Sequence, residues 1–551
     1  MIAANHFDFR IKLMNSRQKT GIYMKKTKMK GLIKTLKRLK RFFLNAVLLG
    51  ATTIFMRSVA VVFNAYVSGK IGAEGMGLYS LITSVYGFAV TLATSGVSLA
   101  VIRLVSEEMS KPDRSGVITA MRKCVGYALC FGISSFAILF FGAGFISEHI
   151  LQDERTYLSL RVFSIALPFI ALSSVFSGYF NAVRRVYKSA SASITEQFVK
   201  IALTVMLLRT LLPKGMEYGA LALVLGTAIA EALSFSYLLI FYIIDKKKHL
   251  RVKKPAFDPR MRERMLQISL PIALSSYLRS GLVTIQHILI PIGLRKHGAD
   301  YSTALASYGT IHGMVFPLIL FPSAVCATFA GLIVPELSEL AAKYGTVREN
   351  KHICYIVRRA LGLATIFGIG TAGILVCFAE PLGLLVYKSA EAAKYIRIFA
   401  PLVPVMYLDT TVDGMLKGLG QQLHSMFYNI IDASLSVFLV WSLMPRIGLC
   451  GYVICVFVTE LVNLAFSLTR LLTVTEARLP IPKAVLCPIL CIAGATALSM
   501  IAVHLFLQNS VNAVFTVVGI LLSVVFYISL LRVTGGLSGE DSRWFRSIFQ
   551  K

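Results

Sequence analysis

Apolar stretches of about 20 residues follow one another along this chain, separated by short polar breaks, and a helix needs roughly that length to cross a ~30 Å hydrocarbon core. Fourteen such stretches stand at approximately 42–68, 78–102, 124–146, 159–182, 193–212, 218–244, 267–293, 303–335, 358–379, 395–416, 425–444, 449–470, 484–507 and 511–532. The expected fold class is therefore an all-α polytopic membrane protein. Between the first two spans, GAEGMGLYSL (Gly72 to Leu81) reads as a glycine-rich connection and not as a phosphate loop. Pro168, Pro271, Pro317, Pro322, Pro401 and Pro404 are kink candidates, because neighbouring helices can satisfy the backbone groups that a proline frees.

The pattern repeats. A shift of 236 residues lays Arg161, Phe163, Pro168, Leu172 and Gly178 on Arg397, Phe399, Pro404, Leu408 and Gly414, and sets Glu196 opposite Asp432. After a change to 229, Gly219, Val224 and Glu231 fall on Gly448, Val453 and Glu460. The chain is thus expected to comprise a basic arm (1–41), a first lobe of six spans (42–244), a basic inter-lobe loop (245–266), a second lobe (267–471), two added spans (484–532) and a tail (533–551). Parallel repeats of this kind place a substrate site between the halves near the bilayer midplane.

Composition agrees with the membrane reading: 56% of the 551 residues are hydrophobic, 15% are charged, and mean hydropathy is +0.70. The net charge of +30 changes the picture only through its placement. Its clusters, at Arg10 to Arg41, at Lys246 to Arg264 and at Lys343, Arg348, Lys351, Arg358 and Arg359, fall in alternate loops. That asymmetry is the positive-inside pattern and places both termini in the cytoplasm; it makes nucleic acid an unneeded explanation. Leu32, Leu36, Leu39 and Phe43 recur at helical spacing among lysines, as in an interfacial amphipathic helix. The nine cysteines form no CxxC pair, so neither a metal site nor a disulfide framework is indicated.

Charged residues at membrane depth are the candidate chemistry, because their cost turns them toward a partner or a water-filled cavity. Arg57, Arg279 and Lys200 are the candidate cations well inside spans, and Arg103 stands at the inner end of the second. Arg57 and Arg279 open their respective lobes and are expected to approach one cavity from opposite sides. With Asn64 and Arg103 they form the expected substrate-binding set, since a guanidinium fork suits phosphate oxygens. Glu196 and Lys200 are four apart and are expected to pair. Asp409 and Asp413 share a face, and with Glu231, Asp432 and Glu460 they are either structural or ion-coupling carboxylates.

Four stretches, GAEGMGLYSL (Gly72 to Leu81), TLATSGVSLAVIRLVSEE (Thr91 to Glu108), GYFNAVRRVYKSASASITEQFVKI (Gly178 to Ile201) and GMVFPLILFPSAVCATFAGLIVPELSE (Gly313 to Glu339), resemble the polysaccharide-transport branch of the multidrug/oligosaccharidyl-lipid/polysaccharide exporter superfamily. Within it the chain is most similar to the stage V sporulation protein B group and, more distantly, to lipid II flippases. The resemblance implies a MATE-like fold of two six-helix lobes around a cavity. It also implies translocation of an undecaprenyl-linked sugar or peptidoglycan precursor. Arg57 falls where lipid II flippases carry a cavity arginine; Phe63 stands at the second, and Val315 to Pro322 is apolar where another is carried. A drug exporter of the same fold and a membrane glycosyltransferase are the alternatives. A transporter rather than an enzyme is expected, with no cofactor or metal and with coupling to membrane potential, H+ or Na+. Its expected partners are the lipid-linked sugar, anionic lipids at the basic face and envelope-synthesis enzymes, not nucleic acid. One chain supplies a complete cavity, so a functional monomer is expected.

The charge pattern is tested by labelling in an otherwise cysteine-free chain. Asp258→Cys reacts with an impermeant maleimide only after permeabilisation, and Asp300→Cys reacts in intact cells.

Overall fold

The computed structural model describes residues 50–111, 115–249, 260–344, 350–477, 485–507 and 513–537. The basic arm with its amphipathic segment, Arg348, most of the inter-lobe loop and most of the tail lie outside these residues. Every regular element among the described residues is helical, as the long apolar runs require when each backbone polar group must be paired within its own segment.

Helical backbone extends over 50–94, but Gly72 within it has φ +68°. That is the left-handed region, which a right-handed helix of L residues does not continue through and which glycine enters without a Cβ penalty. The run is therefore two helices, α1 (50–71) and α2 (73–94). The connection expected over Gly72 to Leu81 contracts to this one residue, with helix resuming at once. Gly96, at φ +76°, breaks the chain again before α3 (Val97–Ser110). The remaining helices of the first half are α4 (Ser115–Phe145), α5 (Tyr157–Ala182), α6 (Val186–Leu211) and α7 (Met216–His249).

α8 (Met261–Lys296) leads to α9, which spans Tyr301–Leu320 with a π turn over Gly309–Val315 in its middle. A turn at Phe321 and Pro322 separates α9 from α10 (Ser323–Tyr344), dividing one expected span in two. α11 (Lys351–Cys377), α12 (Ala379–Tyr387), α13 (Ala390–Phe399), α14 (Val403–Gly418), α15 (Gln422–Ile447) and α16 (Leu449–Thr475) follow, then α17 (Cys487–Leu507) and α18 (Ala513–Val533). Thirteen helical runs among the described residues are long and apolar enough to cross a membrane. Gly50–Ser110 holds two of the expected spans in one such run. The span expected at 395–416 is not among them; a 3-10 turn at Ala400–Leu402, opened by Pro401, interrupts it.

Packing pairs the helices as the repeat predicts locally. α5 lies against α3, α4 and α7; α14 lies against α10, α11 and α16. The matched glycines sit at matched crossings. A Cβ on Gly178 would come within 3.1 Å of the Ser98 carbonyl of α3, and one on Gly414 within 2.8 Å of Ala330 of α10. The 236-residue shift also joins Gly132 to Gly368, and their Cβ positions would meet Pro168 and Pro404 at 3.2 and 2.8 Å. α17 and α18 pack on each other and against α11, with Tyr527 donating to the Ile366 carbonyl.

At the end of the molecule remote from the basic loops, α2 and α9 cross glycine on glycine. A Cβ on Gly77 would stand 2.0 Å from the Leu305 carbonyl oxygen, and one on Gly309 would stand 2.1 Å from that of Ala73. Backbone atoms cannot yield as a side chain does. Gly77→Val is thus expected to cost about 1–3 kcal/mol by overpacking, read as a lower unfolding midpoint in detergent. Gly69→Ala, with open space around it, leaves the midpoint within a degree or so of the parent, the order expected of a surface change.

Candidate substrate cavity

The site begins with what a broken helix leaves behind. Proline has no N–H to donate, and around Pro322 the N–H of Ala324 pairs with Phe321 while that of Val325 pairs with Pro322 itself. The carbonyls ending α9 therefore face outward. Tyr407 of α14 donates to the Ile319 carbonyl at 2.6 Å. The Leu320 carbonyl accepts from the Ser323 hydroxyl at 2.6 Å and from Arg57 Nη1 at 3.1 Å, and Arg57 Nη1 also reaches Ser323 Oγ at 3.1 Å. A cation at a helix C-terminus is stabilised by the partial negative charge of those carbonyls. Arg57 thus ties α1 to the break between α9 and α10.

Only one nitrogen of the guanidinium makes this tie. Among the described residues its Nε and Nη2 groups have no protein partner, and the side chain opens into a cavity of about 610 Å3. Thr52, Met56, Asn181, Ser189, Ser193, Glu196 and Gln197 line that cavity, from α1, α5 and α6. Asn64 stands seven residues from Arg57 on the same face of α1, partly buried, whereas Phe63 is packed into the hydrophobic core.

Glu196 and Lys200 make no direct salt bridge, although Lys200 lies within electrostatic reach of the carboxylate; Glu196 lines the Arg57 cavity, hydrogen bonded with Ser234 of α7. Helical spacing permits an i,i+4 contact but does not compel it when a cavity and a hydroxyl compete for the carboxylate. Glu231 accepts from Tyr86 at 2.8 Å, and the Tyr86 ring stacks on Phe163 at 3.8 Å, joining α2, α5 and α7.

Arg279 does not line the Arg57 cavity. Exposed on α8, it lies within electrostatic reach of Asp409, Asp432 and Glu460, from α14, α15 and α16. Asp409 accepts from Asn463 at 3.3 Å through one oxygen, and its other oxygen is buried without a partner. Asp413, one turn on and within electrostatic reach of Asp409, has hydrogen-bond partners of its own: Lys417 reaches it at 2.7 Å and Ser425 donates to it. Arg103 is 65% exposed and pairs with Glu107 at 3.2 Å, and Glu107 is also held by Arg264. These residues line a second cavity, of about 450 Å3, between α3, α8 and α15.

Sequence reasoning passed over the ties that close the far end. Asp153, with its side chain 4% exposed, accepts from Arg155 at 2.8 Å and from Tyr301 at 2.7 Å. Arg155 continues to Glu74 at 2.9 Å, Arg295 donates to Gln152 at 2.8 Å, and both guanidiniums lie against the Tyr301 ring. The α4–α5 connection is thereby joined to α2 and to the α8–α9 corner. The only signal available in the sequence was a small group of charges in an expected outer loop.

Long apolar helices, charged residues within them and cavities between helix groups define a multi-pass membrane protein of MATE-like fold. The chain belongs to the polysaccharide biosynthesis protein family, whose model matches residues 43–329; the MatE model matches 302–442. It is 25% identical over 418 residues to Stage V sporulation protein B of Bacillus subtilis (strain 168), covering 74% of this chain and 79% of that protein. To the same organism's lipid II flippase MurJ it is 22% identical over 402 residues, covering 67% and 71%. Among solved structures it resembles lipid II flippase MurJ in an inward closed conformation, with TM-score 0.66, 14% identity, and coverage of 89% of this chain and 98% of that one. An inward-facing multidrug resistance MATE family transporter aligns with TM-score 0.60, 13% identity, and coverage of 76% and 96%. Of these, MurJ is a lipid II flippase and the MATE protein a transporter, and the fold is theirs.

Tyr407→Phe leaves the Ile319 carbonyl without its donor. The variant is expected to lose about 1–3 kcal/mol, seen as a lower unfolding midpoint, while Tyr428→Phe leaves the midpoint unchanged.

Proposed function

We propose that this protein moves a lipid-linked, pyrophosphate-bearing sugar precursor of a cell-envelope polymer from the cytoplasmic to the outer leaflet of the cell membrane. The observation that carries this reading is the half-engaged guanidinium of Arg57, which presents free N–H donors to a cavity of about 610 Å3. A phosphate there meets charge-assisted, fork-shaped donation that a lysine or an amide cannot reproduce. The headgroup enters from the basic end, taken as cytoplasmic, while the polyprenyl chain remains in lipid. Two six-helix lobes, 42–244 and 267–471, then rock about the cavity. The ties at Asp153, Arg155 and Tyr301 open as the contacts at Arg57 and Arg103 change. Arg279 meets the substrate's charge in the opposite conformation, with the nearby carboxylates setting its orientation. Anionic lipids gather at the basic face, envelope-synthesis enzymes supply and consume the lipid, and a single chain suffices.

A cation-coupled drug exporter of the same fold is the second reading, and one feature favours it: three carboxylates against the single Arg279. Dye accumulation in cells with and without the protein separates the two, because an exporter of cations lowers it and a flippase leaves it unchanged.

Depletion is expected to raise one lipid-linked precursor, identified by mass spectrometry of extracted lipids. In that assay Arg57→Ala lowers translocation roughly ten- to a hundredfold, the equivalent of one charged hydrogen-bond set of about 1.5–3 kcal/mol. Arg57→Lys restores part of it. Normal precursor levels in Arg57→Ala and Arg279→Ala cells would remove the proposed role of these arginines.

A further inference from the structure

Two histidines and two tyrosines meet where α8, α9 and α16 come together. Tyr308 is hydrogen bonded to His287 Nδ1 at 2.9 Å, Tyr452 to His312 Nε2 at 2.8 Å, and the imidazole centroids are 4.5 Å apart. The phenols are sealed, each 1% exposed, whereas His287 and His312 are partly buried residues. Among the described residues His287 Nε2 and His312 Nδ1 have no partner. Tyr308 and His312 lie at the start and in the middle of the π turn Gly309–Val315. π turns inside α-helices recur at functional sites, and this one is the segment whose Gly309 packs against α2.

We propose that the His287–His312 pair is a proton-binding site that sets the conformation of the π turn in α9. A tyrosine hydroxyl is both donor and acceptor. In the neutral ring the free nitrogen carries the hydrogen and the phenol donates to the paired nitrogen; a proton taken up from water ends on that paired nitrogen, which then donates to the phenol oxygen as the hydroxyl turns its own hydrogen away, so the hydrogen bond reverses instead of breaking. Two imidazolium ions at this spacing repel strongly in a poorly solvated site, so the pair holds one proton. A charge there disturbs the packing of His312 on Phe316 and, through it, on Phe399. The π turn responds because it offers the backbone an alternative register.

The surroundings on each packed element are defined. α8 contributes Arg279 two turns from His287. α16 contributes Tyr452, with Cys455 and Glu460 within electrostatic reach of that phenol. α13 contributes Glu391, 3.5 Å from the Ser307 hydroxyl, and Tyr395, whose ring is tilted against that of Phe399. From α2 come Met76 and Ser80, both uncharged, against Gly313. No third histidine, cysteine or carboxylate completes a metal-binding group among the described residues, which leaves a proton as the cation that this donor set accommodates.

The test is hydrogen exchange of the peptide covering 301–320 in the full chain, in nanodiscs, from pH 4 to 8, corrected for intrinsic exchange. The parent shows one step in that range, of about tenfold if proton affinity differs by one pKa unit between the two states. The step is lost in the His287→Asn/His312→Asn double variant and kept in His149→Asn, whose histidine is exposed on the α4–α5 connection. Tyr308→Phe/Tyr452→Phe keeps both imidazoles but removes the acceptor for the charged form, so its step moves to lower pH. Absence of the step in the parent, its persistence in the double histidine variant, or an unmoved step in the tyrosine variant each overturns the proposal.

Discussion

Everything near the cavity depends on the fate of two carbonyl oxygens. Inside a bilayer a released backbone group costs several kcal/mol unless the protein supplies a donor, and the break at Pro322 releases two in succession. α14 answers one with Tyr407, and α1 answers the other with Arg57. A backbone irregularity in the second half of the chain thus fixes the position of a cation carried by the first half. The same contact lowers the cost of an arginine at membrane depth, because the helix end takes over part of its solvation.

That arrangement has two faces. The bond to Leu320 holds α1 against α9 and α10, and the unused donors look into the cavity. An anion that captures the guanidinium competes with a carbonyl, so binding and the α1 contact are linked through one side chain. At the far end a second set of ties joins the α4–α5 connection to the α8–α9 corner through Asp153, Arg155 and Tyr301. Between the two lie the glycine crossing of α2 and α9 and the π turn that carries His312. The π turn itself carries the close contacts, with Gly309 and Gly313 both packed against α2.

The acidic groups of the second half divide in a way that spacing alone did not indicate. Asp409 and Asp413 are one turn apart, yet Asp409 joins Asn463 and the Arg279 neighbourhood while Asp413 is taken by Lys417 and Ser425. Glu231 and Glu460 occupy matching places in the repeat, and each lies within electrostatic reach of a matched carboxylate and a cation, Glu196 with Lys200 in one case and Asp432 with Arg279 in the other, but only Glu231 is hydrogen bonded to a tyrosine. Repetition preserved the helix crossings, visible in Gly178 and Gly414, and let the polar contents of each half diverge. Helix crossings are constrained by backbone distance; polar side chains need only some partner.

How much of this was legible beforehand follows from range. Membrane residence, the all-helical class, most of the spans and the internal repeat are written in the length and period of the apolar runs, because lipid imposes one secondary structure and one minimum length. Arg57 was conspicuous for the same reason, as a charge in a segment that penalises charge. Its partner was not, since a carbonyl has no letter in the sequence and becomes available only where a distant helix breaks. Glu196 facing the cavity instead of Lys200, the Asp153 ties and the meeting of His287 with His312 are likewise contacts between residues far apart in the chain or choices among several local partners. Sequence by itself determined which groups must be paired, through the cost of burying them; the tertiary structure alone decided with what, because only packing brings the partner within reach.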